Sequence, residues 1–154
     1  MQIYNTSVGY EKKLPDGLTL TSEYTSNEFQ AICEKLIRFN VESTAGLLKK
    51  PGVDIELFLR DGEKLVGAIS CDTYNLSMHI DVMWLDEEYR GRGYGKVLIS
   101  QAEKMGKEKG CLFSHTNTFS YQAPEFYKAC GYEVFAELDE FPDGIIQYFL
   151  KKRL

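Results

Sequence analysis

Residues 86–99 read DEEYRGRGYGKVLI: Gly91, Gly93 and Gly95 alternate with Arg90, Arg92 and Tyr94, and a run with helical spacing follows. Ordering a glycine costs conformational entropy, so three packed this closely imply that backbone there must come close to something. The preceding residues, SMHIDVMWL (Ser77–Leu85), alternate like a strand. Val97 to Lys109 reads as a helix with Leu98, Ala102 and Met105 inward. The segment therefore joins a strand to a helix. A glycine loop entering a helix presents several backbone N–H groups in one direction, and the helix dipole adds positive potential. Arg90, Arg92 and Lys96 add formal charge, so the natural guest is an anion, a pyrophosphate above all. Two familiar phosphate loops do not fit. G-x-x-x-x-G-K-[ST] fails because Val97 follows Lys96 and Arg90 stands where the first glycine belongs. G-x-G-x-x-G matches at Gly91 and Gly93 but fails at Lys96. An RGG-type RNA segment would be repeated, and this one is single and embedded.

The 154 residues fit one domain, expected to span 1–154, and 44% hydrophobic content suffices for a core. No segment is long and apolar enough to span a membrane, and MQIYNTSVGYEKK carries no leader pattern, so a cytoplasmic location is expected. Cys33, Cys71, Cys111 and Cys130 form no C-x-x-C pair and only two histidines are present, which argues against a zinc site. A net charge of -5 argues against nucleic acid as a partner and suits a cationic substrate.

Along the chain, Leu18–Tyr24 alternates like a strand, and residues 1–17 read either as an extra strand or as a loose arm. Thr25 and Glu28 form a capping box ahead of a helix that ends near Asn40 and carries Phe29, Ile32, Cys33, Leu36 and Ile37 on one face. ESTAGLLKKPG reads as a short second helix stopped by Pro51-Gly52. Three strands follow, with turns at Asp61-Gly62 and Tyr74-Asn75. CLFSHTNTF is a strand, APEFYKACG a short helix, and two strands joined at Pro142-Asp143-Gly144 close the chain. The order predicts a mixed α/β or α+β domain with one central sheet.

WLDEEYRGRGYGKVLI resembles motif A of the GNAT superfamily of acyl-CoA-dependent N-acetyltransferases, [QR]-x-x-G-x-[GA], with Arg90, Gly93 and Gly95 at its fixed positions. APEFYKACGYEVF resembles the family's motif B, with Ala123, Tyr127, Gly131 and Tyr132 matching. The resemblance runs from about Leu18 to the C-terminus. It departs where the family often has an asparagine touching the coenzyme, seven residues before the motif B tyrosine; Ser120 stands there, and the nearest asparagine is Asn117. The resemblance implies an α/β (α+β) fold with a mixed, mostly antiparallel central sheet flanked by helices and splayed between the fourth and fifth strands. The pantetheine arm of acetyl-CoA, the co-substrate, would lie in that gap against the backbone of Met83, Trp84 and Leu85. The amides of Gly91, Arg92, Gly93, Tyr94, Gly95 and Lys96 would hold the pyrophosphate, and no metal is called for.

Acetyl transfer to an amine requires three things. The amine must lose a proton, which for a lysine-like group at pH 7 costs roughly 4–5 kcal/mol. The developing oxyanion needs a donor, for which a backbone N–H near Met83 or Leu85 is a candidate. The departing thiolate needs a proton, and by its match to motif B Tyr127 is the candidate acid. His79 stands where some family members carry a catalytic glutamate and suits a base at neutral pH. Asp81 is the alternative: it would orient His79, bind the substrate ammonium, or act as the base itself. In a regular strand His79, Asp81, Met83 and Leu85 share a face, unless a bulge breaks the alternation. His115 is a weaker candidate on the next strand, and Cys130 has no histidine near it in sequence to activate a thiol.

In the family the acceptor pocket is built from the first helices and last strands, here roughly Phe29–Leu48 and Phe135–Tyr148, which offer Asn40, Glu42, Glu137, Asp139 and Glu140. Polyamines, aminoglycosides, peptide N-termini and protein lysines all remain open as acceptors. The rival reading is a non-catalytic acyl-CoA sensor. Strand edges would allow a homodimer.

Overall fold

The computed structural model describes residues 9–47 and 52–154. The chain divides into two compact units, residues 1–49 and 50–154.

In the first unit, β1 (Glu11–Lys13) and β2 (Thr19–Thr21) form a two-stranded antiparallel sheet of their own. The strand expected over 18–24 is therefore shorter and is not a member of the central sheet. Its only apolar residue is Leu20, too little to hold a strand in a buried sheet. The segment 1–17, read as a strand or an arm, contributes β1; residues 1–8 lie outside the described residues. Helix α1 spans Ser26–Ser43. The capping box forms as expected: Glu28 N–H donates to Thr25 Oγ1 (3.2 Å) and Thr25 N–H to Glu28 Oε2 (2.7 Å). The helix outruns its expected end and absorbs Glu42 and Ser43. It then stops where the Thr44 hydroxyl donates back to Asn40 O (2.7 Å) and Ala45 and Gly46 turn left-handed. The second helix expected over 42–52 is thus absent over 44–47; Leu48 to Pro51 lie outside the described residues.

The second unit is built on a six-stranded sheet. Its strands are β3 (Asp54–Asp61), β4 (Lys64–Tyr74), β5 (Ser77–Leu85), β6 (Phe113–Phe119), β7 (Glu133–Leu138) and β8 (Gln147–Arg153), in the order β3-β4-β5-β6-β8-β7. All neighbours are antiparallel except β5 and β6, which the crossover helix α2 (Tyr94–Glu108) joins in parallel. The fourth and fifth predicted strands are β5 and β6. The β4–β5 turn is Asn75-Leu76, both at positive φ, between the paired Tyr74 and Ser77; this is the turn that matches strand twist. Helices α2 and α3 (Pro124–Ala129) pack on one sheet face around Ile55, Ile69, Met78, Ile80, Leu98, Ile99, Ala102 and Leu150, each large aliphatic contributing about 1.5–3 kcal/mol. Leu98 and Ala102 point inward as predicted, with Met105 half-buried against the core.

Glu103 of α2 pairs with Lys152 of β8 at 2.7 Å, the two side chains only 13% and 27% exposed. Lys152→Met would leave this carboxylate without a partner and is expected to cost about 2 kcal/mol, a Tm loss of about 4–8 °C for a chain of this size. An unchanged melt would show that the pair adds nothing.

Two irregularities position the site. Ser70 pairs with Val82 but Cys71 with Ile80, so Asp81 is a bulge on β5. The bulge reverses the alternation: Met78 and Ile80 face the core before it, Met83 and Leu85 after it. His79 therefore lies on the face opposite Met83 and Leu85, not with them. Secondly, β5 pairs with β6 only over Ser77–Ile80 and Phe113–Thr116. Beyond Ile80, β5 runs on to Leu85 while β6 stays with β8, and the sheet opens into a V whose vertex is the Ile80–Thr116 pair. The splay expected between these strands is present.

Candidate active site

The glycine loop begins with one helical turn, Glu87–Tyr89, in which Arg90 N–H donates to Glu87 O at 3.1 Å. Gly93 (φ 88°) caps α2 in the left-handed region and offers no side chain to its first turn. The N–H groups of residues 91–96 accordingly have no acceptor among the described residues, a row of donors at the positive end of a 15-residue helix. A Cβ placed on Gly91 or Gly93 would meet nothing within 4 Å, and both have positive φ. These two glycines shape the loop and leave the space over the amides open. Gly95 differs: its Cβ would stand 2.9 Å from the Phe126 ring and 3.4 Å from the Met83 methyl. All three glycines were expected to clear a path for a ligand; the structure shows open space beside Gly91 and Gly93, whereas Gly95 allows α2 to close on α3 and β5.

The cations divide as well. Arg90 does not reach over the loop. Its Nε donates to Leu85 O (3.0 Å), and its guanidinium lies 4.8 Å over the Trp84 ring, so it ties the strand end to the loop. Arg92 stacks 5.8 Å over Tyr89, whose hydroxyl donates to Asp61 at 2.7 Å. Lys96, in the first turn of α2, is close enough to Cys130 to work against the rise that burial imposes on that thiol. Cys130 thus stays protonated, and burial pushes Cys71 up to about 12, so neither is poised as a nucleophile.

At the V, Asp86 N–H donates to Val66 O (2.9 Å). In an antiparallel ladder the hydrogen-bonded pairs recur every second residue, so Val82 and Trp84 turn their amides to β4 while Met83 and Leu85 turn theirs into the gap. Leu85 O already accepts from Arg90. The N–H and C=O of Met83 and the N–H of Leu85 remain to pair with an added strand. The Trp84 side chain is exposed, its Nε1–H donating to Asp86 Oδ1 (3.1 Å).

Tyr127 is buried in α3, edge-on to Phe126 (5.2 Å) and Tyr132 (5.8 Å). Its phenol is raised above the ordinary 10, chiefly by burial, with the Thr116 hydroxyl beside it pulling the other way. Thr116 Oγ1 also donates to Ile80 O at 3.0 Å. Tyr127 oxygen therefore stands beside the vertex of the V. Thr116→Val would strip this buried carbonyl of a donor, expected to cost about 1–3 kcal/mol and to appear as a lower Tm; an unchanged melt would mean that Ile80 O finds another partner.

On the opposite face, His79 Nδ1 lies 3.1 Å from Asp72 Oδ1. The His79 ring stacks on His115 at 4.9 Å. The His115 imidazole is lowered by burial and then by His79, with Asp72 opposing. The carboxylate that meets His79 is thus Asp72; Asp81 sits exposed at the bulge, beside the V. Ser120 is engaged with the chain: its N–H donates to Ile146 O (2.8 Å) and its Oγ accepts from Ile146 N–H (3.2 Å). Asn117 Oδ1 accepts from Gln147 Nε2 (2.9 Å).

The sequence reading missed Asp72 and Thr116. Asp72 had a signal: counting back from a two-residue turn at Asn75-Leu76 pairs Tyr74 with Ser77, Thr73 with Met78 and Asp72 with His79. Thr116 had none.

The family model described as the acetyltransferase (GNAT) family matches residues 20–132. The chain belongs to the acetyltransferase (GNAT) family. This GNAT protein is 36% identical to an acetyltransferase from Bacillus cereus ATCC 14579 of known structure, with a TM-score of 0.76 over 86% of this chain and 95% of that one. It is 40% identical to the blasticidin-S acetyltransferase of Streptomyces morookaense over 50% of this chain and 57% of that protein, so the match spans little more than half of that relative. The peptidyl-lysine N-acetyltransferase YjaB of Escherichia coli K12 is 26% identical over 74% of this chain and 67% of its own length. The chain is thus a GNAT acetyltransferase.

Proposed function

We propose that the protein transfers the acetyl group of acetyl-CoA to a primary amine, by direct attack within a ternary complex. The observation that carries this reading is that three features occur together: the open amides of residues 91–96, the strand groups of Met83 and Leu85 turned into the V, and the Tyr127 hydroxyl beside Thr116 of its vertex pair. In this reading the amides with Arg92 and Lys96 hold the pyrophosphate, and Met83 and Leu85 pair with the pantetheine arm as if with a strand. A backbone N–H there meets the developing oxyanion, and Tyr127 gives its proton to the departing sulfur. His79, one residue before the vertex, takes the amine's proton, and Asp81 at the bulge meets the incoming ammonium. Ser120 keeps an O–H to offer the coenzyme while its oxygen holds the chain. The raised Cys130 and Cys71 thiols favour direct attack over a thioester on the protein.

The names of the relatives point to small-molecule and peptide amines alike, and the net charge of -5 suits either as a cation. The family match spans both compact units, which supports one acetyltransferase domain over residues 1–154. No disulfide joins the four cysteines, in keeping with a cytoplasmic location. The test is calorimetric titration with acetyl-CoA, CoA, ATP and NAD, then free-thiol release against polyamines, aminoglycosides and lysine peptides. Acetyl-CoA binding with amine-dependent thiol release and intersecting initial-velocity lines is expected. Binding without turnover on any amine would favour the sensor instead.

A further inference from the structure

Beyond the V, the far face of the sheet carries a row of ionisable residues that crosses all six strands. Asp54 pairs with Asp72, Asp72 with His79, His79 with His115, His115 with Lys151, and Lys151 with Glu133. The register therefore places six titratable side chains side by side, and the row lies next to the vertex pair Ile80–Thr116. Within it the close contacts are particular: Asp72 to His79 at 3.1 Å, His79 stacked on His115 at 4.9 Å, and Lys151 to Glu133 at 3.5 Å. Lys151 is thus committed to β7, and the carboxylate that engages a histidine is Asp72.

We propose that Asp72 is the positioning residue for His79, fixing which imidazole nitrogen is basic; this rests on His79 being the base. An ionised carboxylate only accepts hydrogen bonds, so the contact to Asp72 requires the proton on Nδ1 and leaves the lone pair on Nε2. In the step, the substrate ammonium gives one proton to Nε2 and its nitrogen uses the freed electron pair to attack the acetyl carbon; the C–S bond then breaks, the sulfur takes the Tyr127 proton, the nitrogen's second proton returns to the Tyr127 oxygen, and the imidazolium that forms faces Asp72. The proton then passes from Nε2 to solvent. His115 keeps a neutral ring stacked on His79, so no second positive charge opposes this transfer. Asp54 beside Asp72, Asp81 at the bulge and Lys151 beside His115 are the remaining charges around the pair, and none is in hydrogen-bond contact with His79. Asp72 follows from the fold alone, since the Asn75-Leu76 turn brings it opposite His79.

The experiment is Asp72→Asn, read in two ways. Nitrogen-15 chemical shifts of His79 are expected to show the Nδ1–H tautomer in the unmodified protein and a shift toward Nε2–H in the variant. In turnover, kcat is expected to fall about tenfold, the low end for the outer partner of a functional histidine, because Asp72 is half exposed. The KM for acetyl-CoA should stay unchanged. Asp72→Glu should recover part of the rate, and Asp72→Asn combined with His79→Gln should be no slower than His79→Gln alone. An Nε2–H tautomer in the unmodified protein, or a slow His79→Gln beside an Asp72→Asn of normal rate, would overturn the positioning role. His79→Gln turning over at the normal rate would overturn the base assignment on which it rests.

Discussion

Phenylalanine in place of Tyr127 is expected to lower kcat by about two to four orders of magnitude, the range in which general acids contribute. The substitution removes one oxygen and keeps the ring, so the edge-on packing with Phe126 and Tyr132 survives. Thr116 keeps its donation to Ile80 O, and the vertex of the V should not move. The KM for acetyl-CoA should change little, because the amides of the loop are untouched. Burial holds the phenol above 10, so it is fully protonated across the neutral range. Against a thiolate of ordinary pKa near ~8.5, a phenol so raised is a weak acid. The departing sulfur, however, enters the same dry site, and the desolvation that raises the phenol raises the thiol with it. A group whose folded pKa is raised is at full effect below its unfolded value, so activity and any stability linked to Tyr127 persist to about pH 10 and are lost as pH climbs through the raised value. A kcat for Tyr127→Phe within about threefold of normal, or an alkaline limb well below 10, would assign the proton to another donor.

How much of this was visible beforehand depends on where the information lies in the chain. The glycine loop, the capping box at Thr25 and Glu28 and the hairpin turns are local, and each was legible because a backbone requirement selects residue types within a few positions. The splay was legible through resemblance only, since nothing in Asp81–Leu85 or Asn117–Phe119 shows that two strands will part. A bulge in this strand was allowed for, but its place was not legible. Met78, Ile80, Val82 and Trp84 alternate without a break, which predicts one continuous face. The structure instead buries Met78 and Ile80, then Met83 and Leu85, leaving Val82 and Trp84 exposed on the other side. Apolar residues occupy both parities after Asp81, so sequence alone had no means of choosing between the registers. What decides is packing: Met83 is needed against Gly95 and α3, and Trp84 is needed beneath Arg90. The bulge thereby puts Met83 and Leu85 on one face and His79 on the other, which in the proposed mechanism separates the donor's contacts from the base.

The three glycines give the sharpest dissection of the loop. Gly93→Val is expected to raise the Kd for acetyl-CoA about 100-fold or more, while Gly95→Ala is expected to lower stability and leave that Kd nearly unchanged. At Gly93 the backbone has φ 88°, which costs a side chain roughly 1–2 kcal/mol. The larger effect is positional. A Cβ there meets no protein atom within 4 Å, so it stands in open space beside the loop that presents the amides of residues 91–96. A phosphate oxygen must come within about 2.9 Å of those nitrogens. Displacing it from one or two charge-assisted donors forfeits about 1.5–3 kcal/mol apiece, and each 1.4 kcal/mol is about a factor of ten in Kd. At Gly95 the same atom would press on Phe126 at 2.9 Å, inside the protein. Overpacking of that kind costs about 1–3 kcal/mol, a Tm loss of about 2–12 °C, yet no new atom stands where the phosphates go. Acetyl-pantetheine, which lacks the pyrophosphate, separates the two effects further: Gly93→Val should use it as well as the unmodified protein does. If Gly93→Val binds acetyl-CoA normally, the amides do not hold the pyrophosphate, and the positive φ at Gly91 and Gly93 serves the turn alone. If Gly95→Ala loses binding as completely as Gly93→Val, the helix start and the core beneath it act as one unit.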